Sequence, residues 1–352
     1  MARKKKYYDI TNMLSTKAQY MMLLGQRANG KSYQAKKTVL ENAFKTGRKF
    51  VYLRRWKEDI KMKAVNAYFG DMPISEITYG KYDTVKAWNG ELFFAKTTEE
   101  GEVEKGECIG RFCALNESER YKSWTFIDYD YIVYEEFITD KVYLVDEPRN
   151  LQQFVSTVAR DNRLTVLLIG NTLSRVCPYF SEWCLDGVLN QKQGTIEIYH
   201  YHVGEDVIDI AVEYCANNSV DNKMFFGQTA KQIVTGEWDT VDVPKLPRKQ
   251  YEYEKVYEVL FTYQKFSFVI ELLVEPKEGG LLLHIYPHTK ERKIYRKLTN
   301  EFSDLPNITN RLDISKRPEA LMVNCFRLDK VCYSDNLTGS DFRRIMQEHK
   351  IY

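Results

Sequence analysis

A chain of 352 residues with 44% hydrophobic and 28% charged content has apolar material for two cores and excludes a disordered protein. It contains no apolar run of about eighteen residues, and no apolar signal core follows its basic start, so neither a membrane span nor secretion is expected. A formal net charge of +2 offers no overall attraction to nucleic acid, so any such contact must come from local patches such as residues 3–6 or 54–57.

In chain order, the first predicted element is a buried strand over residues 20–24. It runs into Gly25-Gln26-Arg27-Ala28-Asn29-Gly30-Lys31-Ser32, a complete G-x-x-x-x-G-K-[ST] pattern, and a helix is predicted over 32–44. Strand, glycine loop and helix together specify a phosphate cradle. The glycines let backbone N–H groups fold around phosphate oxygens, Lys31 reaches the β/γ-phosphates, and the Ser32 hydroxyl suits Mg²⁺. The chain is therefore expected to bind a nucleoside triphosphate such as ATP. A second strand is predicted over 49–53, followed by Arg54, Arg55 and Lys57. Between residues 64 and 124 a β-rich insertion is expected, with turns at Tyr79-Gly80 and Asn89-Gly90.

A third strand, residues 131–134, ends in Glu135-Glu136. A triphosphatase needs a carboxylate on the metal side and a base for the attacking water, so Glu135 is assigned the first role and Glu136 the second. Next come a helix over 150–159 and a strand over 164–169, which leads to Asn171, an amide placed to sense the γ-phosphate or position the water. Arg160 and Arg163 precede that strand. Either could stabilise transition-state charge, within the subunit or across an interface. Arg120 and Lys122 form a further basic cluster, and a strand is predicted over 195–202. The alternation implies a mostly parallel sheet with helices on both faces.

From residue 204 to about 250 polar residues and glycines dominate, as in a linker. Paired strands over 255–274 and 280–286, turning at Glu278-Gly279-Gly280, and a helix over 339–350 capped by Ser340 then imply a smaller α+β domain. The seven cysteines include no C-x-x-C pair and read as reduced cytosolic thiols.

The segments GQRANGKSYQAK, VYLRRWKED, YIVYEEF and LLIGNTLSRVCPYF resemble, in order and spacing, those of the encapsidation ATPases of small protein-primed tailed phages. The resemblance covers most of the first 204 residues. It implies a P-loop NTPase domain of the ASCE class over 1–204, a linker over 205–250, and a second domain over 251–352. The second domain would resemble a ribonuclease-H-type nuclease that has lost its metal-binding acids; Glu271, Glu275, Asp304 and Asp313 show no two-metal constellation. Also implied are a homo-oligomeric ring of five subunits on the portal of a procapsid in the host cytoplasm, ATP-driven movement of double-stranded DNA, and, as in some relatives, a structural packaging RNA. By motif position Lys31 is the phosphate-loop lysine, Glu136 the catalytic glutamate, and Arg160, with Arg163 close behind, the trans-acting arginine. Lys57 and Lys122 match basic positions facing DNA or the next subunit. The departure is Glu135, where close relatives carry Asp. The rival readings are a terminase with an active second-domain nuclease, a small-molecule kinase, and a nucleotide-dependent binding module without useful turnover.

Overall fold

Strands that are apolar at every position must be covered on both faces, and such strands form the centre of the first sheet. The computed structural model describes residues 8–160, 164–216, 233, 235–277, 279–289 and 292–352. The chain divides into two compact units, Met1–Trp238 and Asp239–Tyr352.

The first unit opens with α1 (Thr11–Ser15), β1 (Tyr20–Gly25), α2 (Lys31–Thr46) and β2 (Lys49–Arg54). There follow α3 (Met62–Phe69), α4 (Ile74–Ile77), β3 (Thr84–Trp88), β4 (Glu91–Thr97), β5 (Val103–Ala114) and α5 (Ser118–Tyr121). The remainder is β6 (Tyr129–Glu135), α6 (Glu147–Ala159), β7 (Thr165–Asn171), α7 (Pro178–Glu182), β8 (Thr195–Val203) and β9 (Asp206–Tyr214). The sheet order is β3-β4-β5-β2-β6-β7-β1-β9-β8. The six strands from β5 to β9 in that order are parallel, and antiparallel hairpins close both edges.

Strand alternation sorts the central residues onto two faces. Met21 and Leu23 of β1, Phe50 and Tyr52 of β2, and Val133 of β6 pack with Ala35, Val39 and Leu40 of α2. Met22, Leu24, Val51, Leu53, Ile132 and Tyr134 pack with Leu151, Phe154 and Val158 of α6 on the other face.

Three expectations for this unit change. The 64–124 insertion begins with two short helices, and β5 joins the main sheet beside β2. Its Asn89-Gly90 turn has both residues at positive φ (49° and 82°), as the hairpin β3–β4 requires. The strand over 195–202 is an exposed edge partner of β9 and antiparallel to it. The expected linker contains β9, which pairs with β1; the division into units falls after Trp238.

The second unit comprises β10 (Glu254–Tyr263), β11 (Phe266–Val274), β12 (Leu281–Pro287), β13 (Lys297–Thr299), β14 (Ile308–Thr309), α8 (Arg317–Arg327), β15 (Val331–Tyr333) and α9 (Asn336–Glu348). Its sheet order is β14-β13-β10-β11-β12-β15, an antiparallel meander flanked by parallel strands. Phe342 of α9 stands edge-on to Phe261 and Phe268, with ring centroids 5.8 and 5.4 Å away. Residues before β10 belong to this unit too, since Tyr333 N donates to Pro244 O at 2.8 Å. The final helix starts earlier than its polar pattern suggests. Asp335, not Ser340, is the cap and accepts from Thr338 N, while Ser340 Oγ donates to Asn336 O. Of the expected turn, Glu278 lies outside the described residues.

Candidate active site

The loop from Gly25 to Ser32 joins the C-terminal end of β1 to the N-terminus of α2. Gly30 at φ 99° caps that helix in the left-handed region, which a side chain would resist. Lys31 is buried; its ammonium donates to Gln26 O at 2.6 Å and Asn29 Oδ1 at 3.3 Å. Asn29 Oδ1 also accepts from Lys31 N at 3.1 Å, so one side chain braces the turn. Burial lowers the Lys31 ammonium to about 8, against the opposing fields of Cys215 and Glu135.

The acids meet the loop because β6 sends odd-numbered residues to the α2 face. Glu135 is buried and accepts from Ser32 Oγ at 3.1 Å and from the Tyr68 hydroxyl. Burial pushes its carboxyl upward, and the two donors pull it back. Ser32 and Glu135 thus converge as hard oxygen donors, a set that fits Mg²⁺. Glu136 follows at φ 58°, a left-handed conformation uncommon for a non-glycine residue, and its carboxylate is exposed. Arg54 Nη2 donates to Glu136 Oε2 at 2.8 Å and lies 3.6 Å from Asp59 Oδ2. Asn171 ends β7 directly beside Gly25 in register, which brings it to the loop.

Other predicted residues fall elsewhere. Arg55, part of the 54–57 patch considered for nucleic acid, is instead buried on the α6 side and forms a bidentate pair with fully buried Glu147, at 2.7 and 3.0 Å. It has no surface to offer nucleic acid. Lys57 pairs with Glu117 at 2.9 Å and Lys122 with Glu119 at 2.6 Å, both as surface ion pairs. Arg160 is exposed, 3.5 Å from Lys122 O, and shares a shallow groove with Lys122 and Arg149. Arg163 lies outside the described residues.

Sequence reasoning missed Tyr68, which reaches Glu135 from the weakly patterned insertion and stacks on Tyr52 with centroids 4.4 Å apart. No local motif announces it. Among the described residues no group of three or more His, Cys, Asp or Glu side chains is arranged to hold a metal. In the second unit Glu271 is engaged by Arg292 at 2.8 Å, by Gln250 at 2.6 Å and by Tyr286 at 2.9 Å.

One strand, β7, separates the loop strand β1 from the acid-bearing β6, and Glu135 and Glu136 stand at the strand end facing the loop. This fold and site define a protein of the P-loop NTPase fold with a second α+β domain. Residues 2–217 match the podovirus DNA encapsidation proteins (Gp16), and the chain belongs to that family. Its function is DNA packaging. The DNA packaging protein of Bacillus phage phi29 is 23% identical over 341 residues, covering 93% of this chain and 94% of that protein. Its counterpart in Bacillus phage B103 is 26% identical over 185 residues, covering 51% and 52% respectively. A chain of the bacteriophage phi29 genome packaging motor assembly shares the fold, with a TM-score of 0.58, 18% identity, and coverage of 98% of this chain and 99% of that one. Among the described residues no helix is long and apolar enough to cross a membrane.

Proposed function

We propose that this chain hydrolyses ATP with Mg²⁺ and couples each turnover to movement of double-stranded DNA into a procapsid, acting in the host cytoplasm as a ring of five subunits on the portal. The observation that carries the reading is the meeting of Ser32 and Glu135 at 3.1 Å, with Glu136 as the next residue. The loop amides and Lys31 bind and orient the triphosphate. Ser32 and Glu135 would hold the cation, which would supply charge neutralisation at the phosphate oxygens. Glu136 accepts the proton of the attacking water, and Asn171 orients that water. Arg54 holds the Glu136 carboxylate until DNA draws the guanidinium away.

Topology favours a trans role for Arg160. Helix α6 follows the site end of β6 and runs 13 residues, about 20 Å, toward the start of β7, so its final turn is carried toward the opposite end of the strands. From there Arg160 serves a neighbouring subunit's phosphates better than its own. Lys57 and Lys122, each on the surface, are assigned to DNA or the neighbouring subunit, with Arg163 as the alternative finger. The second unit is assigned to docking on portal, DNA or a packaging RNA, without nuclease activity.

The test is steady-state ATP hydrolysis with and without linear double-stranded DNA, for wild type and Glu136→Gln. Turnover stimulated by DNA and reduced at least about a hundredfold in the variant is expected. Equal rates in the two proteins would remove Glu136 from the chemistry.

A further inference from the structure

Arg54 and Arg55 are adjacent yet grip the residue after β6 in different ways. Arg54 takes the Glu136 carboxylate at 2.8 Å. Arg55 takes the backbone, with Nη1 donating to Glu136 O at 3.0 Å and Nη2 to Phe137 O at 2.7 Å. Its Nε and Nη2 also donate to Glu147, and its guanidinium lies 5.0 Å from the Tyr143 ring centroid. Glu147 is itself held by Tyr134 Oη at 2.7 Å, Tyr179 Oη at 3.1 Å and Leu144 N at 2.9 Å. A planar fork held by four hydrogen bonds in a buried network has one orientation. The two carbonyls it grips directly follow the left-handed φ of Glu136.

We propose that Arg55, fixed by Glu147, is a positioning residue that holds the turn carrying Glu136 in its catalytic conformation through the carbonyls of Glu136 and Phe137. The proposal rests on Glu136 being the base, and it assigns a role beyond that reading to a buried pair. Lysine keeps the charge but cannot span two carbonyls and a carboxylate in one plane. Removing the grip should therefore slow the chemical step without weakening ATP binding at the loop on the other side of β7.

The experiment compares the full chain as wild type, Arg55→Lys and Glu147→Gln, well below their melting temperatures. One arm measures kcat and KM for ATP, and the other follows amide exchange of the 135–139 peptide. Expected for Arg55→Lys are a kcat lowered at least tenfold, a KM within about threefold of wild type, and faster exchange in that peptide. Glu147→Gln keeps an acceptor for the fork and should show the same pattern more weakly, which covers the case in which Arg55→Lys does not fold. A kcat within twofold of wild type in a folded variant overturns the proposal, as does a KM that rises in step with the lost kcat. Unchanged exchange at 135–139 overturns it even if wild type shows no turnover, whereas missing wild-type turnover alone counts against the ATPase reading.

Discussion

Lys31 is held without a carboxylate hydrogen-bonded to it, and burial brings its ammonium down to about 8 from an ordinary 10.5. Between those values the folded chain binds fewer protons than the unfolded one, so this group makes stability rise with pH across that window. Triphosphate oxygens reverse the balance by favouring the charged amine. Binding of ATP at about pH 8.5 should therefore take up a fraction of a proton, seen as a calorimetric heat that varies with buffer ionisation enthalpy. Buffer-independent heat would show that Lys31 is already fully charged. Glu135 carries the opposite sign. Its raised carboxyl means that stability is lost as pH climbs from the unfolded value through the folded one, so the charged form is a cost at neutral pH. Glu135→Gln should leave the melting temperature unchanged or higher, while Mg²⁺ affinity in the presence of nucleotide falls about 10–100-fold. A large drop in melting temperature would mean that the carboxylate stabilises the fold.

Elements decide which of these groups meet. Gly170 packs beneath the turn that follows β6, and a Cβ there would lie 2.8 Å from Phe137 and 3.1 Å from Ile138. Gly170→Ala should cost about 1–3 kcal/mol in urea denaturation and lower turnover together with stability, because the ring must move the turn after β6. A neutral effect would show that the turn yields freely. The central strands were legible because burial on both faces leaves an uninterrupted apolar signature, and β-hairpin edges were not, since β8 exposes alternate residues and pairs antiparallel. The linker reading failed at β9 for a related reason: its acidic start, Asp206 to Asp209, masks the buried half that lies beside β1. At the site, the loop, Glu135, Glu136 and Asn171 were readable as contiguous motifs at strand ends. Arg55 sits in a run of charges that hides its burial, and only strand alternation one residue past β2 gives its face. Phe50 and Tyr52 face α2, Val51 and Leu53 face α6, and Arg55 continues with the odd set toward Glu147.

At the scale of the whole molecule, the proposed chemistry is divided between subunits. One chain supplies the loop, Glu135, Glu136 and Asn171 at the C-terminal ends of its strands, while α6 carries Arg160 toward the opposite strand ends. An Arg160→Ala subunit keeps its own nucleotide machinery but cannot complete a neighbour's site. A Glu136→Gln subunit has no base but still offers its arginine. Each variant alone should show ATP turnover reduced at least about a hundredfold under packaging conditions. In an equal mixture, random assembly places an intact base next to an intact Arg160 at roughly a quarter of the interfaces of a closed ring. DNA-stimulated hydrolysis should therefore reappear at a corresponding fraction of the wild-type rate and vary with the mixing ratio. Scaling with that ratio matters, because residual activity of one variant would rise in simple proportion to its own amount, whereas complementation peaks at the equal mixture. A mixture no more active than the sum of its parts, with both variants shown to co-assemble, would return Arg160 to the role of a surface cation.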